Sequence, residues 1–299
     1  MLFIGTRGSE LAQRQARWVA ERLAALGWQT ELQIIRTTGD KIRDAPLGRI
    51  PGKGLFTKEI EEALLAGRID VGVHSLKDLP TELPAGLRLA AVPPREDARD
   101  VIVGGRLADL PPGARVGTSS LRRTAQIRRL RPDLLIQPVR GNLDTRLRKL
   151  AEGHYDALVM AAAGLKRMGW EDRIAEYLPI EQVCPAPGQG ALGVETRVDG
   201  EAAAACQLLE DPLSRAAVAA ERAVLAALGG GCQVPIGAYA EARNGRLRLC
   251  AVVVEPQGLG LVQGEIEGAL TEAIALGERL AAQLRASGAE AILRAVSRK

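Results

Sequence analysis

Aromatic residues make up only 3% of this 299-residue chain, and it holds two histidines. So few rings leave little with which to stack on nucleic-acid bases, and two histidines cannot assemble a zinc or haem ligand set. The four cysteines, Cys184, Cys206, Cys232 and Cys250, show no C-x-x-C spacing, so neither a metal site nor a disulfide framework is expected. No apolar run approaches the ~18 residues of a membrane span. The segment from Met1 to Glu10 meets charge at Arg7 and lacks an apolar h-region, which predicts a cytoplasmic chain with no membrane partner. Neither a G-x-G-x-x-G nor a P-loop fingerprint follows a strand-like run, so nothing marks a nucleotide site.

What is present suits a folded protein: 46% hydrophobic and 25% charged residues. The length favours two or three domains over one. The net charge of +4 is unevenly spread, since Arg115 to Leu150 holds ten Arg or Lys against Asp133 and Asp144. An anionic partner would explain that stretch, and so would a solvated helix face. The same stretch contains no Phe, Tyr or Trp, which disfavours nucleic acid.

The first third alternates strand and helix: strands at Leu2–Thr6, Glu31–Thr37 and Ile69–His74, and helices at about Glu10–Ala25 and Thr57–Ala66. Ala12, Ala16, Val19, Ala20 and Leu23 recur at helical spacing, the pattern of a helix laid on a sheet. A turn-rich hinge at Ala91–Asp100 leads to a second alternating block over 101–183. There Gly117-Thr118-Ser119-Ser120 before a helix echoes Gly5-Thr6-Arg7-Gly8-Ser9 before a helix. Past the Pro and Gly cluster at Cys184–Gly190, a strand at Ala191–Thr196 precedes a long helical stretch through Leu228. The remainder alternates as strands from Ile236 to Gly264, with a turn at Asn244-Gly245, and ends in one helix at about 270–286.

Three strand-to-helix turns, Thr6–Ser9, Thr118–Arg123 and Arg140–Arg146, combine hydroxyls, helix N-termini and guanidiniums. Each is a candidate anion site; Ser9, Ser119 and Asn142 could equally be simple N-caps. Lys77 and Asp78 follow an apolar strand, where α/β sheets keep their ligand crevice, although a surface pair at a Pro80 turn reads as well. Cys232 lies behind three glycines, which can present a thiol as nucleophile or attachment point. Cys184, Cys206 and Cys250 read as small buried hydrophobes. The Gly-rich stretch from Lys41 to Phe56 suits a mobile lid or a plain surface loop.

Along nearly its whole length the chain resembles the hydroxymethylbilane synthase (porphobilinogen deaminase) family. The resemblance is carried by Thr6-Arg7-x-Ser9-x-Leu11-Ala12 with Gln15-Ala16, Gly39-Asp40 through Gly52-Lys53-Gly54-Leu55-Phe56, and Val73-His74-Ser75-Leu76-Lys77-Asp78-Leu79-Pro80. It continues through Gly117–Arg123, Arg140-Gly141-Asn142 with Thr145-Arg146, Ala163–Arg167, Pro187–Ala191 and Gly230–Gly237. It implies an α/β chain with two periplasmic-binding-protein-like α/β domains, over 1–94 with 191–209 and over 98–186, and a smaller C-terminal α+β domain over 213–299.

The resemblance further implies a monomeric transferase of tetrapyrrole biosynthesis. Such an enzyme condenses four porphobilinogens into hydroxymethylbilane, losing one ammonia per addition, on a dipyrromethane cofactor joined by a thioether to Cys232. Asp78 becomes the expected catalytic acid. Lys77, Asp78, Thr118, Ser119, Ser120, Arg122, Arg123, Arg140 and Gly141 are expected around the cofactor, and Arg7, Ser9, Arg140, Arg146 and Arg167 around the substrate. Lys53 and Phe56 belong to the lid, and no metal is expected. Three positions depart from the family's usual pattern: Glu10 beside an anion site, Pro51 in the lid, and Gly229 before the cysteine motif. A solute-binding module with two α/β lobes is the rival reading, and it needs neither Cys232 nor Asp78.

Overall fold

The computed structural model describes residues 1–41, 56–230 and 234–297. From the N-terminus the chain forms β1 (Leu2–Arg7), α1 (Glu10–Ala25), β2 (Thr30–Ile35), α2 (Thr38–Lys41), α3 (Lys58–Leu65), β3 (Val71–Ser75), a 3-10 turn (Leu76–Asp78) and β4 (Leu87–Ala91). It continues as β5 (Asp100–Val103), β6 (Arg115–Gly117), α4 (Leu121–Leu130), β7 (Leu135–Gln137), α5 (Leu143–Ala151), β8 (Ala157–Ala161), α6 (Ala162–Met168) and β9 (Glu176–Tyr177). Then come β10 (Leu192–Arg197), α7 (Glu201–Gln207) and α8 (Pro212–Ala227), followed by β11 (Ile236–Arg243), β12 (Arg246–Val254), β13 (Leu261–Ala269), α9 (Ala273–Ala286) and α10 (Ala289–Ser297).

These elements divide into two compact units, Met1–Glu96 with Gly190–Arg215, and Asp97–Gln189 with Ala216–Lys299. The first is built on a five-stranded sheet in the order β2-β1-β3-β10-β4. β1 runs parallel to β2 and β3, and β10 runs antiparallel to β3 and β4. Helix α1 buries the predicted stripe of Ala12, Ala16, Val19, Ala20 and Leu23, in a core shared with Ile4, Val71, Val73 and Val194.

The second unit repeats this plan in the order β7-β6-β8-β5-β9. β6 is parallel to β7 and β8, and β5 is antiparallel to β8 and β9. The echo between the two Gly-Thr turns is therefore an echo of sheets: both turns leave the parallel strand that lies between two parallel neighbours. The same unit carries a separate antiparallel sheet, β11-β12-β13. Its first hairpin turns at Asn244-Gly245, where positive φ angles of 50° and 73° suit the two residues that favour that region. Leu247, Leu249, Ala251 and Val253 on β12 meet Leu276, Leu280 and Leu284 of α9 in a core of their own. The α/β class with a C-terminal α+β element is as expected.

Three local expectations are corrected. The helical stretch through Leu228 is broken between α7 and α8, because Asp211 accepts the Ser214 N–H at 2.7 Å and Pro212 occupies the first helical position, where its missing N–H costs nothing. The helix expected to end at Ala286 does so as α9, but past Gly288, at a φ of 101°, the chain forms a second helix, α10, that was not expected. The strand expected to reach Thr37 stops at Ile35, and the chain enters α2.

Candidate functional site

In the first unit, the turn between β1 and α1 is fixed from inside. Thr6 is fully buried and its hydroxyl donates to the Ala12 carbonyl at 3.0 Å. Ser9 caps α1, its Oγ accepting the Ala12 N–H at 3.3 Å. Arg7, at the end of β1, places its guanidinium 4.1 Å from the centroid of the Phe56 ring, so a predicted substrate residue and a predicted lid residue meet in a cation–π contact. Glu10 pairs with Arg14 at 3.4 Å on the exposed side of the helix.

Lys77 and Asp78 lie half-buried on the 3-10 turn that ends β3. That turn is fastened at several points. The Leu76 N–H donates to the Ala191 carbonyl at 3.0 Å. Ser75 exchanges hydrogen bonds with the Gln15 amide at 3.1 and 3.2 Å. Behind it, His74 Nε2 meets Glu195 Oε2 at 2.9 Å, both side chains buried. Glu195 lies opposite Gly72 in the register, and a Cβ on Gly72 would stand 3.0 Å from His74 Nε2 and 2.9 Å from Ile60. Glycine is what makes room for the imidazole. Glu61 completes this buried group: burial, the Glu195 charge and that of Glu62 push its carboxyl up, against the opposing pull of Thr57 and His74.

In the second unit, two of the predicted anion loops stand side by side. β6 and β7 are parallel neighbours, and Ser119 ties their exits together, donating to the Val139 carbonyl at 2.7 Å and accepting the Val139 N–H at 3.0 Å. Ser119 is therefore not a helix cap. Ser120 is: its Oγ accepts the Arg123 N–H at 3.4 Å, because the buried Thr118 hydroxyl takes the Ser120 N–H at 3.2 Å and sets the turn one residue later than the sequence suggests. Gly141 has a φ of 108°, and a Cβ there would lie 2.5 Å from Thr145. Arg146 folds back to donate from Nε to the Gly141 carbonyl at 2.8 Å, and Lys149 reaches the Arg140 carbonyl at 3.3 Å. Asn142 begins α5 without a side-chain cap bond. Arg167 lies half-buried in the last turn of α6.

Arg122 and Arg123 differ from the other predicted arginines, for both are buried. Arg122 Nη1 donates to Asp100 Oδ2 at 2.7 Å and to the Cys184 carbonyl at 2.6 Å. Arg123 donates to Asp100 Oδ1 from Nε at 3.0 Å and from Nη2 at 2.7 Å, and its Nη1 reaches the Val159 carbonyl at 3.1 Å. Gln189 joins through its amide, at 2.8 Å from Asp100 and 2.7 Å from the Ala98 carbonyl. Burial alone would raise the Asp100 pKa; the two guanidiniums overrule it and hold the carboxyl far below the usual carboxylate range.

Asp100 and Gln189 escaped the sequence reading, as did the group formed by His74, Glu195 and Glu61. A usable signal existed for Asp100, a carboxylate heading the apolar run Val101-Ile102-Val103. Cys232, Lys53 and Pro51 lie outside the described residues. Cys184 and Cys206 are buried as expected, and burial pushes the Cys206 thiol up to about 12. Cys250 is half-buried rather than buried; a hydrogen bond from Cys184 pulls its thiol down, and its Sγ donates to the Tyr239 carbonyl at 3.5 Å. Among the described residues, no helix is long and apolar enough to cross a membrane.

Comparison with known proteins names the architecture. Residues 2–205 match the family model described as "Porphobilinogen deaminase, dipyromethane cofactor binding domain", and residues 215–286 match "Porphobilinogen deaminase, C-terminal domain". The porphobilinogen deaminase of Syntrophobacter fumaroxidans is 52% identical over 301 residues, covering 99% of this chain and 97% of that one. That of Geobacillus kaustophilus is 50% identical over 305 residues, covering 100% and 98%. Among solved structures, a periplasmic substrate-binding protein of an ABC transporter from Coxiella burnetii overlays 74% of this chain and 97% of its own at 14% identity and a TM-score of 0.44, too distant to carry an argument. With half its residues identical to such relatives from end to end, this chain belongs to the porphobilinogen deaminase family.

Proposed function

We propose that this chain condenses four porphobilinogens head to tail into hydroxymethylbilane, releasing one ammonia at each addition, on a dipyrromethane primer joined by a thioether to Cys232. The observation that carries this reading, beyond family membership, is the joining of two basic loops by Ser119 and Val139 in the second unit. Each porphobilinogen brings an acetate and a propionate, so substrate and product are polycarboxylates, and fixed guanidiniums are their natural partners.

The residues fit such a cofactor. Among the described residues, Arg122 keeps a buried Nε with no hydrogen-bond partner, and Arg122 and Lys77 are each suited to cofactor carboxylates. Arg123 is engaged on every guanidinium nitrogen, and Thr118, Ser119 and Ser120 spend their hydroxyls on shaping the loop that presents it. When bound, the dipyrromethane supplies the free pyrrole α-carbon at which the chain grows. Asp78 accepts hydrogen bonds from pyrrole N–H groups, stabilises the positive charge that develops as ammonia leaves, and in its acid form gives a proton to the departing amine. Arg7, Ser9, Arg140, Arg146 and Arg167 hold the carboxylates of incoming substrate, with Lys53 and Phe56 in the lid. The reading takes the third domain as 213–299 and the enzyme as a cytoplasmic monomer.

The test is the intact mass of wild type beside Cys232→Ala, both made in a host that supplies porphobilinogen. Wild type is expected to carry two porphobilinogen units less two ammonias, and the variant none. A wild type that is unmodified, and gains no such mass on incubation with porphobilinogen, would overturn the reading in favour of a solute-binding module.

A further inference from the structure

The second unit holds a pair of thiols that the reaction proposed above does not use. Gly237, Tyr239 and Glu241 of β11 alternate with the residues that enter the core with α9, and in the register they stand opposite Val252, Cys250 and Arg248. All six share the sheet face turned away from that core. A Cβ on Gly237 would lie 2.8 Å from the Cys184 carbonyl oxygen and 2.9 Å from Cys184 Cβ, so the missing side chain seats Cys184 against this face. The seat is fixed from both sides. Gln126 of α4 accepts the Cys184 N–H at 2.7 Å and donates to its carbonyl at 3.0 Å, and Arg122 donates to the same carbonyl at 2.6 Å. On the sheet side the Ala238 N–H donates to the Pro185 carbonyl at 3.0 Å. Held there, Cys184 donates a hydrogen bond to the sulfur of Cys250, whose own thiol donates to the Tyr239 carbonyl at 3.5 Å.

The two thiols are unlike. Cys184 is buried, and Cys250 is the one described cysteine that is not. The hydrogen bond from Cys184 pulls the Cys250 thiol down and Arg248 pulls the same way, against burial, Glu221 and Glu265. The same bond pushes the Cys184 thiol up, with burial and the Glu221 charge adding to it and Arg122 opposing. The thiolate is the nucleophile of disulfide exchange, and an accessible thiol of lowered pKa beside a second thiol is the arrangement of a redox-responsive cysteine.

We propose that Cys250 and Cys184 form a reversible disulfide by exchange with a small-molecule disulfide, Cys250 attacking and Cys184 resolving. The Cys250 thiolate attacks one sulfur of the reagent, whose S–S bond breaks, and the departing thiolate takes up the proton that Cys250 gave away. Cys184, giving up its own proton, then attacks Cys250 Sγ; the mixed disulfide breaks and the second thiolate leaves with that proton. Two cysteine thiols are oxidised and one reagent disulfide is reduced to two thiols. Capping Cys250 removes its charge, and with it the largest influence holding the proton on Cys184, so the first step prepares the second. The bridge closes the segment from Cys184 to Cys250, which contains Cys232, into one ring. Because Cys184 is already seated on the sheet, closure removes freedom from the unfolded chain at little strain in the fold.

The test incubates reduced wild type, Cys184→Ser and Cys250→Ser with oxidised glutathione, without denaturant, and reads the Cys184 and Cys250 peptides by mass, so that whatever Cys232 carries is not counted. Wild type is expected to lose two hydrogen atoms across this pair, to yield a linked Cys184–Cys250 peptide, and to melt about 5 °C or more above the reduced protein. Dithiothreitol should reverse both changes. Cys184→Ser is expected to stop with one glutathionyl group on Cys250. In Cys250→Ser, Cys184 is expected to react at least about tenfold more slowly than Cys250 does in Cys184→Ser. A wild type whose two peptides stay unlinked, or link only in urea, overturns the proposal, and that reading needs neither variant to fold. A linked protein that melts no higher than the reduced one means that the sulfurs are forced together, and overturns the preformed pairing. Equal rates in the two variants overturn the assignment of Cys250 as the attacking thiol.

Discussion

The two five-stranded sheets share one plan, and the strand inserted antiparallel into each carries a fully buried carboxylate: Glu195 on β10 and Asp100 on β5. What surrounds the two differs in sign. Among the described residues, Glu195 bonds His74, a second acid, Glu61, acts on it from α3, and Oε1 of Glu195 and Oε1 of Glu61 are both buried without a hydrogen-bond partner. Asp100 has two arginines and an amide. The first unit is thus rich in acid behind the turn that bears Asp78, and the second is rich in base behind the loops expected to hold carboxylates. A common scaffold carries acids around the buried carboxylate of one sheet and bases around that of the other, and on the proposed function these would serve proton handling and anion holding.

The division breaks most sharply if chemistry and anchoring can be separated by single substitutions. Asp78→Asn keeps shape and removes the charge, so turnover should fall by about 10²-fold to 10⁴-fold, while the adduct on Cys232 is still found by intact mass. Full activity in that variant would take Asp78 out of the mechanism. Loss of the adduct together with activity would move Asp78 into the anchoring half and blur the comparison.

A second contrast compares the carboxylates themselves. Asp100→Asn strands two buried guanidiniums and should destabilise the protein by about 3–5 kcal/mol, the usual outcome of removing one partner from a buried pair. Glu195→Gln keeps a hydrogen bond to His74 and relieves Glu61 of a like charge, so its cost should be about 1 kcal/mol or less. Urea unfolding of the two variants against wild type measures both. Equal losses would mean that the buried charges in the two units are balanced alike.

This asymmetry was only partly legible in the sequence. Periodicity located α1 and its buried stripe, the Asn244-Gly245 hairpin and the repeated Gly-Thr turn, since each is set by neighbours within a few residues. The hydroxyl roles slipped by one position, because whether Ser119 or Ser120 caps α4 depends on Val139, a contact across parallel strands that local spacing does not record. His74, Glu195 and Glu61 meet only because Glu195 is inserted from far along the chain opposite Gly72, and Asp100 reaches Gln189 across a similar span of sequence. Buried charge clusters join distant segments, whereas motifs are read along one segment, so the arginines were visible and the carboxylate that holds them was not.

The smallest expected effect tests the acid-rich half by titration. Burial, Glu195 and Glu62 raise the Glu61 pKa above its ordinary value, against Thr57 and His74, which lower it; the folded state therefore holds the Glu61 proton more tightly than the unfolded chain does. For an acid shifted in this direction, the stability it contributes is complete below the usual glutamate value and is lost as pH rises through the raised folded value. Glu61→Gln mimics the protonated form at every pH. Its melting temperature should match wild type in acid, rise above it across that window by about 2 °C or more, and hold the gap at neutral pH. A gap that does not change with pH would mean that Glu61 holds its proton no more tightly in the folded protein than in the unfolded chain, and would remove the raised Glu61 carboxyl from the acid-rich half.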